Sequence, residues 1–141
     1  MNHIYSKVLL FCVSLFIVSC GSQNAQTNIQ LDAKTKEYFA ELQAQHIDKV
    51  LGFYSKEFFN IQPKQMWQSR LNSLFEKFGP IERISFINKQ ADTRFSGKFF
   101  IYQYYTIHGK KRVKHVLTWI LPVDGVEIEL VGHMIKEPRG S

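Results

Sequence analysis

The sequence predicts an α+β domain with N-terminal helices packed on one face of a twisted, four-stranded antiparallel meander sheet. Three observations predict it. Apolar residues recur at helical spacing as far as Phe78, and Gly79-Pro80 stops that pattern. Beyond Pro80 the period changes to two, with turn signals at Gly109-Lys110 and Asp124-Gly125. Helices first and strands afterwards is the order of a fold in which the two kinds of element bury their apolar faces against each other.

Asp32 is placed to cap the first helix, AKTKEYFAELQAQHI. Phe39, Leu42 and His46 fall on one face, with Tyr38 beside them. His46-Ile47-Asp48 reads as a break between two short helices, with Asp48 capping the second; one bent helix is the alternative. Val50, Leu51 and Tyr54 continue the apolar face, and Ser55 to Asn60 reads as irregular or briefly extended. Pro63 opens a further helix, since a first-turn residue needs no N–H partner. Met66, Trp67, Arg70, Leu71, Leu74, Phe75 and Phe78 give that helix its face.

The strands read as Ile81 to Lys89, Phe95 to His108 with a bulge or bend at Gly97, Arg112 to Pro122, and Val126 to Lys136. Ala91-Asp92-Thr93 is the expected first turn. Several strands are apolar on both faces, so one face covers helices and the other needs curvature, a neighbour or a ligand. The domain is expected over residues 32–137, with a polar tail at 138–141.

The N-terminus has a different character. Met1 to Lys7 carries one basic side chain, and Val8 to Val18 is an eleven-residue, almost wholly apolar run. That is the pattern of a secretory signal over residues 1–19, and it is shorter than the roughly 20 residues a spanning helix needs. Ile17-Val18-Ser19-Cys20 then resembles the lipobox of bacterial lipoproteins. The resemblance implies cleavage between Ser19 and Cys20, lipid on the Cys20 thiol, and membrane attachment through two or three acyl chains. Gly21, where an Asp commonly causes inner-membrane retention, implies the outer membrane of a Gram-negative cell envelope. An ordinary secreted protein is the alternative. The polar stretch Gly21 to Gln30 reads as a flexible tether, so residues 20–31 are expected to link membrane and domain.

Cleavage would leave 122 residues, enough for one domain with a proper core. Cys20 is the single cysteine beyond the signal, so packing and not disulfides must supply stability, and the 12 Phe, 6 Tyr and 2 Trp of the whole chain offer large apolar area for it. The mature side chains keep 17 basic against 12 acidic groups. That balance suits contact with anionic lipid or cell-wall polymer. No nucleic-acid recognition motif is present.

The layout from about Ala33 to Lys136 resembles the nuclear transport factor 2-like superfamily, and within it small bacterial lipoproteins. The features that carry the resemblance are Tyr38-Phe39 and Leu42, His46-Ile47-Asp48-Lys49-Val50, Ser55-Lys56-Glu57-Phe58, Phe75 to Pro80 and the long meander. It implies a cone-shaped α+β fold, with three helices wrapped by a strongly curved sheet and a pocket at the open end.

Enzymes of that superfamily place carboxylates and histidines in the pocket, and no such set maps onto this chain. Asp48 is a candidate base set against its role as a cap. His115 and His133 are candidates to line a pocket set against ordinary packed histidines. The aromatic set Trp67, Phe100, Tyr102, Tyr104 and Trp119, with His133, is either pocket wall or core. Alternation puts Phe100, Tyr102 and Tyr104 on one face. Lys110, Lys111, Arg112 and Lys114 form a basic hairpin tip, either an anion-contacting surface or a solvated turn. His46, His108, His115 and His133 have no short ligand spacing, so no metal and no other cofactor is expected. No nucleophile elbow or phosphate loop occurs.

The expectation is therefore a non-enzymatic envelope lipoprotein that binds a small apolar ligand or an envelope protein. An envelope isomerase or hydrolase with a pocket acid or base, and an inhibitor or accessory subunit, are the alternatives.

Overall fold

The computed structural model describes residues 20–125 and 127–138. The signal at 1–19, including Ser19, and the end of the tail lie outside them, as does residue 126 at the expected start of the last strand. The chain divides into two compact units at Lys34/Thr35. The described part of the first unit is helical.

Helix α1 spans Cys20–Gln43. It includes the stretch expected to be a flexible tether, and Asp32 lies within it, so neither expectation holds. The reason lies in composition: no glycine or proline occurs between Ser22 and Leu51, and Gln, Ala, Lys and Glu are good helix formers. Within the second unit, Thr35, Tyr38, Phe39 and Leu42 are buried. Their spacing of i, i+3, i+4 and i+7 is that of one helical stripe.

The helix ends in a Schellman arrangement. The His46 N–H donates to the Glu41 carbonyl and the Gln45 N–H to the Leu42 carbonyl, both at 3.0 Å. Gln45 takes the left-handed position with φ of 59°. His46 is exposed and pairs with Glu41 at 2.6 Å, so it leaves the apolar face assigned to it.

Helix α2 spans Ile47–Leu51. The break before it is where the sequence puts it, but His46 is the capping position and Asp48 lies in the first turn. Tyr54 then bridges to Leu130, and Ser55 donates its N–H to the Leu130 carbonyl at 2.9 Å. Helix α3 spans Lys56–Ile61, where an irregular stretch was expected. Its signal is Ser55, whose hydroxyl accepts from the Phe58 N–H at 3.1 Å. Helix α4 spans Lys64–Phe78, with Pro63 before it and Trp67, Leu71 and Leu74 buried. Gly79 closes it with φ of 82°.

Four strands follow as an antiparallel meander: β1 Arg83–Arg94, β2 Gly97–His108, β3 Lys111–Pro122 and β4 Glu129–Lys136. The first turn falls at Phe95-Ser96, later than expected, because β1 pairs as far as Arg94 opposite Gly97. Gly97 meets the turn with φ of 149°. Register shifts at Phe86/Asn88 and Thr118/Trp119 interrupt the ladders, and such bulges bend a sheet. The result is an α+β fold with a curved, open sheet and helices packed on it.

Alternation fixes the inner face. Phe100, Tyr102 and Thr106 on β2, Val113, His115, Leu117 and Trp119 on β3, and Leu130 and Ile135 on β4 are buried. They meet Tyr38, Phe39, Phe58 and Trp67 from the helices, for example Phe39 on His115 at 5.8 Å between rings. On the outer face, long cationic side chains lie over aromatic rings, with Arg94 over Phe99 and Arg112 over Tyr105, both at 5.4 Å. That covers part of the second apolar face which the sequence leaves unexplained.

Candidate functional site

Polar side chains interrupt this apolar inner face in one line. Thr106 and His108 come from β2, His115 from β3 and His133 from β4; Tyr38 comes from α1, and Tyr54 follows α2. Register places Tyr104 opposite His115 and Leu117 opposite His133, so the two imidazoles sit on neighbouring strands.

The hydrogen bonds form a continuous chain. His108 Nδ1 is 2.7 Å from the Gly79 carbonyl, and His108 Nε2 is 3.0 Å from Thr106 Oγ1. Thr106 Oγ1 is 3.0 Å from His115 Nε2, and His115 Nδ1 is 3.0 Å from His133 Nε2. His133 Nδ1 reaches the Tyr54 hydroxyl at 2.7 Å and the Tyr38 hydroxyl at 3.2 Å, and the two hydroxyls are 2.8 Å apart.

One group sets the sense of the bonds among Thr106 and the three imidazoles. A carbonyl only accepts, so His108 carries its proton on Nδ1 and accepts on Nε2. Thr106 therefore donates to His108 and accepts from His115 Nε2–H. His115 accepts on Nδ1 from His133 Nε2–H, and His133 accepts on Nδ1 from the tyrosine hydroxyls, with Tyr54 at 2.7 Å the nearer donor. Either of the two hydroxyls can donate to the other. With neutral imidazoles this arrangement satisfies every histidine nitrogen.

Electrostatics keep His115 and His133 neutral. Burial pushes the His115 imidazole down to about 3, and the neighbouring His108 adds to the effect. His133 is held well below the ordinary histidine range, first by burial, then by His115 and by the Arg70 guanidinium. Arg70 lies over the Trp67 ring at 5.3 Å and donates to the Ile135 carbonyl at 3.4 Å. Burial raises both tyrosines, Tyr38 well above its ordinary value.

The aromatic set is assembled around this chain as core. Trp67, Phe100, Tyr102 and Trp119 are all at most 1 % exposed. Tyr104 is half-buried, 4.5 Å from the Phe39 ring and stacked 6.5 Å from Tyr102. The buried indole N–H of Trp119 has no hydrogen-bond partner. His133 is the member of the set with polar chemistry, and it is tied into the chain. Sequence reasoning missed Tyr38, Tyr54, Thr106 and His108 as polar partners. The available signal was the set Thr106, His108, His115 and His133 at alternating strand positions.

The four basic residues Lys110, Lys111, Arg112 and Lys114 come together elsewhere. With Tyr105, Lys136, Glu137 and Pro138 they line an open groove of about 480 Å³. Lys136 was not among the expected residues; it joins because β4 pairs Lys136 with Lys114. Asp48 lines a shallower depression of about 350 Å³ with Gln45, His46, Ile47 and Lys49. Among the described residues no group of three or more His, Cys, Asp or Glu could hold a metal ion. No described helix is long and apolar enough to cross a membrane. The backbone of Cys20 opens α1.

No family model matches this chain, and no curated protein matches it. Among solved structures it is similar to Bdellovibrio bacteriovorus Bd1075, with a TM-score of 0.60 at 13 % identity. The match covers 88 % of this chain and 45 % of that one, so this chain spans under half of Bd1075. At that identity the similarity is one of fold.

Proposed function

We propose that this protein is a lipid-anchored lipoprotein of the bacterial cell envelope, with a nuclear transport factor 2-like domain that acts by binding and not by catalysis. The observation that carries the binding reading is the saturated inner face. Catalysis by an acid or base needs a nitrogen or oxygen free to meet a substrate. Here each nitrogen of His108, His115 and His133 already has a protein partner, and the aromatic side chains around them are packed. An open concavity among the described residues lies instead at the charged groove. The anchor rests on Ile17-Val18-Ser19-Cys20 and the apolar run before it. The fold-family reading is supported by helices followed by a bulged, curved meander.

A second reading is an envelope hydrolase or isomerase. It is favoured by His133, which is only partly buried and shifted towards the neutral, base-competent form.

Metabolic labelling with a palmitate analogue tests the anchor. The wild type takes up label and sediments with membranes, and Cys20→Ala does neither. Equal labelling of the two, or a mature N-terminus other than Cys20, overturns it. Trapping of a substrate-like ligand against His133 would favour the enzyme.

A further inference from the structure

The outer face of the sheet holds an arrangement of charge that folding alone does not favour. Register sets Tyr105, Lys114 and Lys136 side by side across β2, β3 and β4. Arg112 stands two residues from Lys114 and so on the same face. Residues directly opposite have Cβ atoms about 5 Å apart, and like charges there destabilise a sheet. Lys114 and Lys136 are such a pair. The β2–β3 turn adds Lys110 and Lys111 to the same groove. The one carboxylate lining it, Glu137, is ion-paired with Lys77 of α4, so its charge is met from outside the groove. Arg112 lies over the Tyr105 ring, which fixes the guanidinium against the sheet.

We propose that this groove binds a linear polymer bearing phosphate groups. Successive phosphates would lie along Lys136, Lys114 and Arg112 and continue towards Lys110 and Lys111. An anion relieves the Lys114–Lys136 repulsion, and an excess of cations in a concavity selects one. Four of the five cations are lysines. Their compact charges suit tetrahedral phosphate oxygens, whereas planar carboxylates favour the arginine fork. Cations two residues apart along a strand are separated by about 6.6 Å, so the row matches several linked charges better than one ion. The concave lining suits a chain lying in a groove better than the plane of a bilayer. The proposal rests on the reading of the domain as a binding module and gives that module its ligand chemistry.

The test uses the full chain in neutral detergent, titrated with medium-chain inorganic polyphosphate at several salt concentrations. The wild type is expected to bind, with log affinity falling linearly as log salt rises. Lys114→Gln/Lys136→Gln should weaken binding by about tenfold or more and reduce the salt slope by about two. Lys56→Gln, on exposed α3, should leave both unchanged. The thermal midpoint of the double variant should equal or exceed that of the wild type, which separates lost contacts from lost fold. Equal affinity of wild type and double variant overturns the proposal. So does equal binding of poly-L-glutamate, or binding to phosphatidylglycerol vesicles without binding to polyphosphate. Palmitate labelling is read separately, so a failed groove and a failed anchor give different results.

Discussion

His115 Nδ1 stands 3.0 Å from His133 Nε2, and the two imidazoles tilt 36° to each other with ring centroids 5.2 Å apart. One ring must donate and the other accept, so a proton added to His115 removes the acceptor of the His133 N–H, and a proton added to His133 removes the acceptor of the Tyr54 hydroxyl. Around them are Tyr38 from α1, Tyr54, Arg70 and Trp67 from α4, and Thr106 and His108 from β2.

Acid should therefore unfold this protein well above the carboxylate range. Both histidines are depressed in the folded state, while an unfolded histidine titrates near 6.5. Below that pH the unfolded chain takes up protons that the folded chain refuses. Stability is full above about pH 6.5 and falls as pH drops towards about 3, the folded value of His115. His115 contributes a slope of about 1.4 kcal/mol per pH unit, so it costs about 2 kcal/mol by pH 5, and His133 adds to the loss in the same direction. Urea midpoints between pH 8 and pH 5 measure it; a flat profile would mean the imidazoles are not neutral and buried.

Position along the chain should grade the cost of cutting it. Tyr38→Phe removes only the terminal donor and is expected to cost at most about 1 kcal/mol. Tyr54→Phe leaves His133 Nδ1 to the longer Tyr38 contact and falls in between. His115→Leu orphans the His133 N–H and is expected to cost about 2–3 kcal/mol. Equilibrium unfolding in urea at pH 8 gives all three, and an inverted order would refute the assigned bond directions.

Gln45 occupies a position better suited to glycine. Its φ of 59° is left-handed, and a residue with a Cβ pays about 1 kcal/mol there. Gln45→Gly should raise stability by about 0.5–1 kcal/mol, seen as a higher thermal midpoint, because the Schellman bonds are retained and the strain is lost.

Gly97 is the opposite case. A Cβ there would fall 2.4 Å from the Leu121 carbonyl oxygen and 2.9 Å from Pro122 Cα, and φ is 149°. Gly97→Ala should cost at least about 2 kcal/mol, read from the urea midpoint, since the clash is with backbone of the paired strand.

The residues that declared themselves in the sequence did so through chemistry local to them. Gly79-Pro80 could only end a helix, and the Gly109-Lys110 turn fixed the β2–β3 register from which the basic groove follows. The helical stretch before Asp32 did not declare itself, because its polar residues carry no apolar stripe and helix propensity alone is a weak signal. The histidine chain was out of reach for a different reason. Its partners come from α1, the segment after α2 and three strands, so their meeting depends on packing and register. Only the alternation of Thr106 and His108, and of His115 among valine and leucine, hinted that polar groups faced inward.

The Gly79 carbonyl, at the end of a helix, decides which way Thr106 and three imidazoles point their protons. None of them can reverse alone without leaving two lone pairs or two hydrogens face to face. The whole row must turn over together, so its two ends are informed of each other although no atom of the backbone need move. A nitrogen-15 tautomer measurement on His133 therefore reports what has happened at Gly79, at the other end of the row.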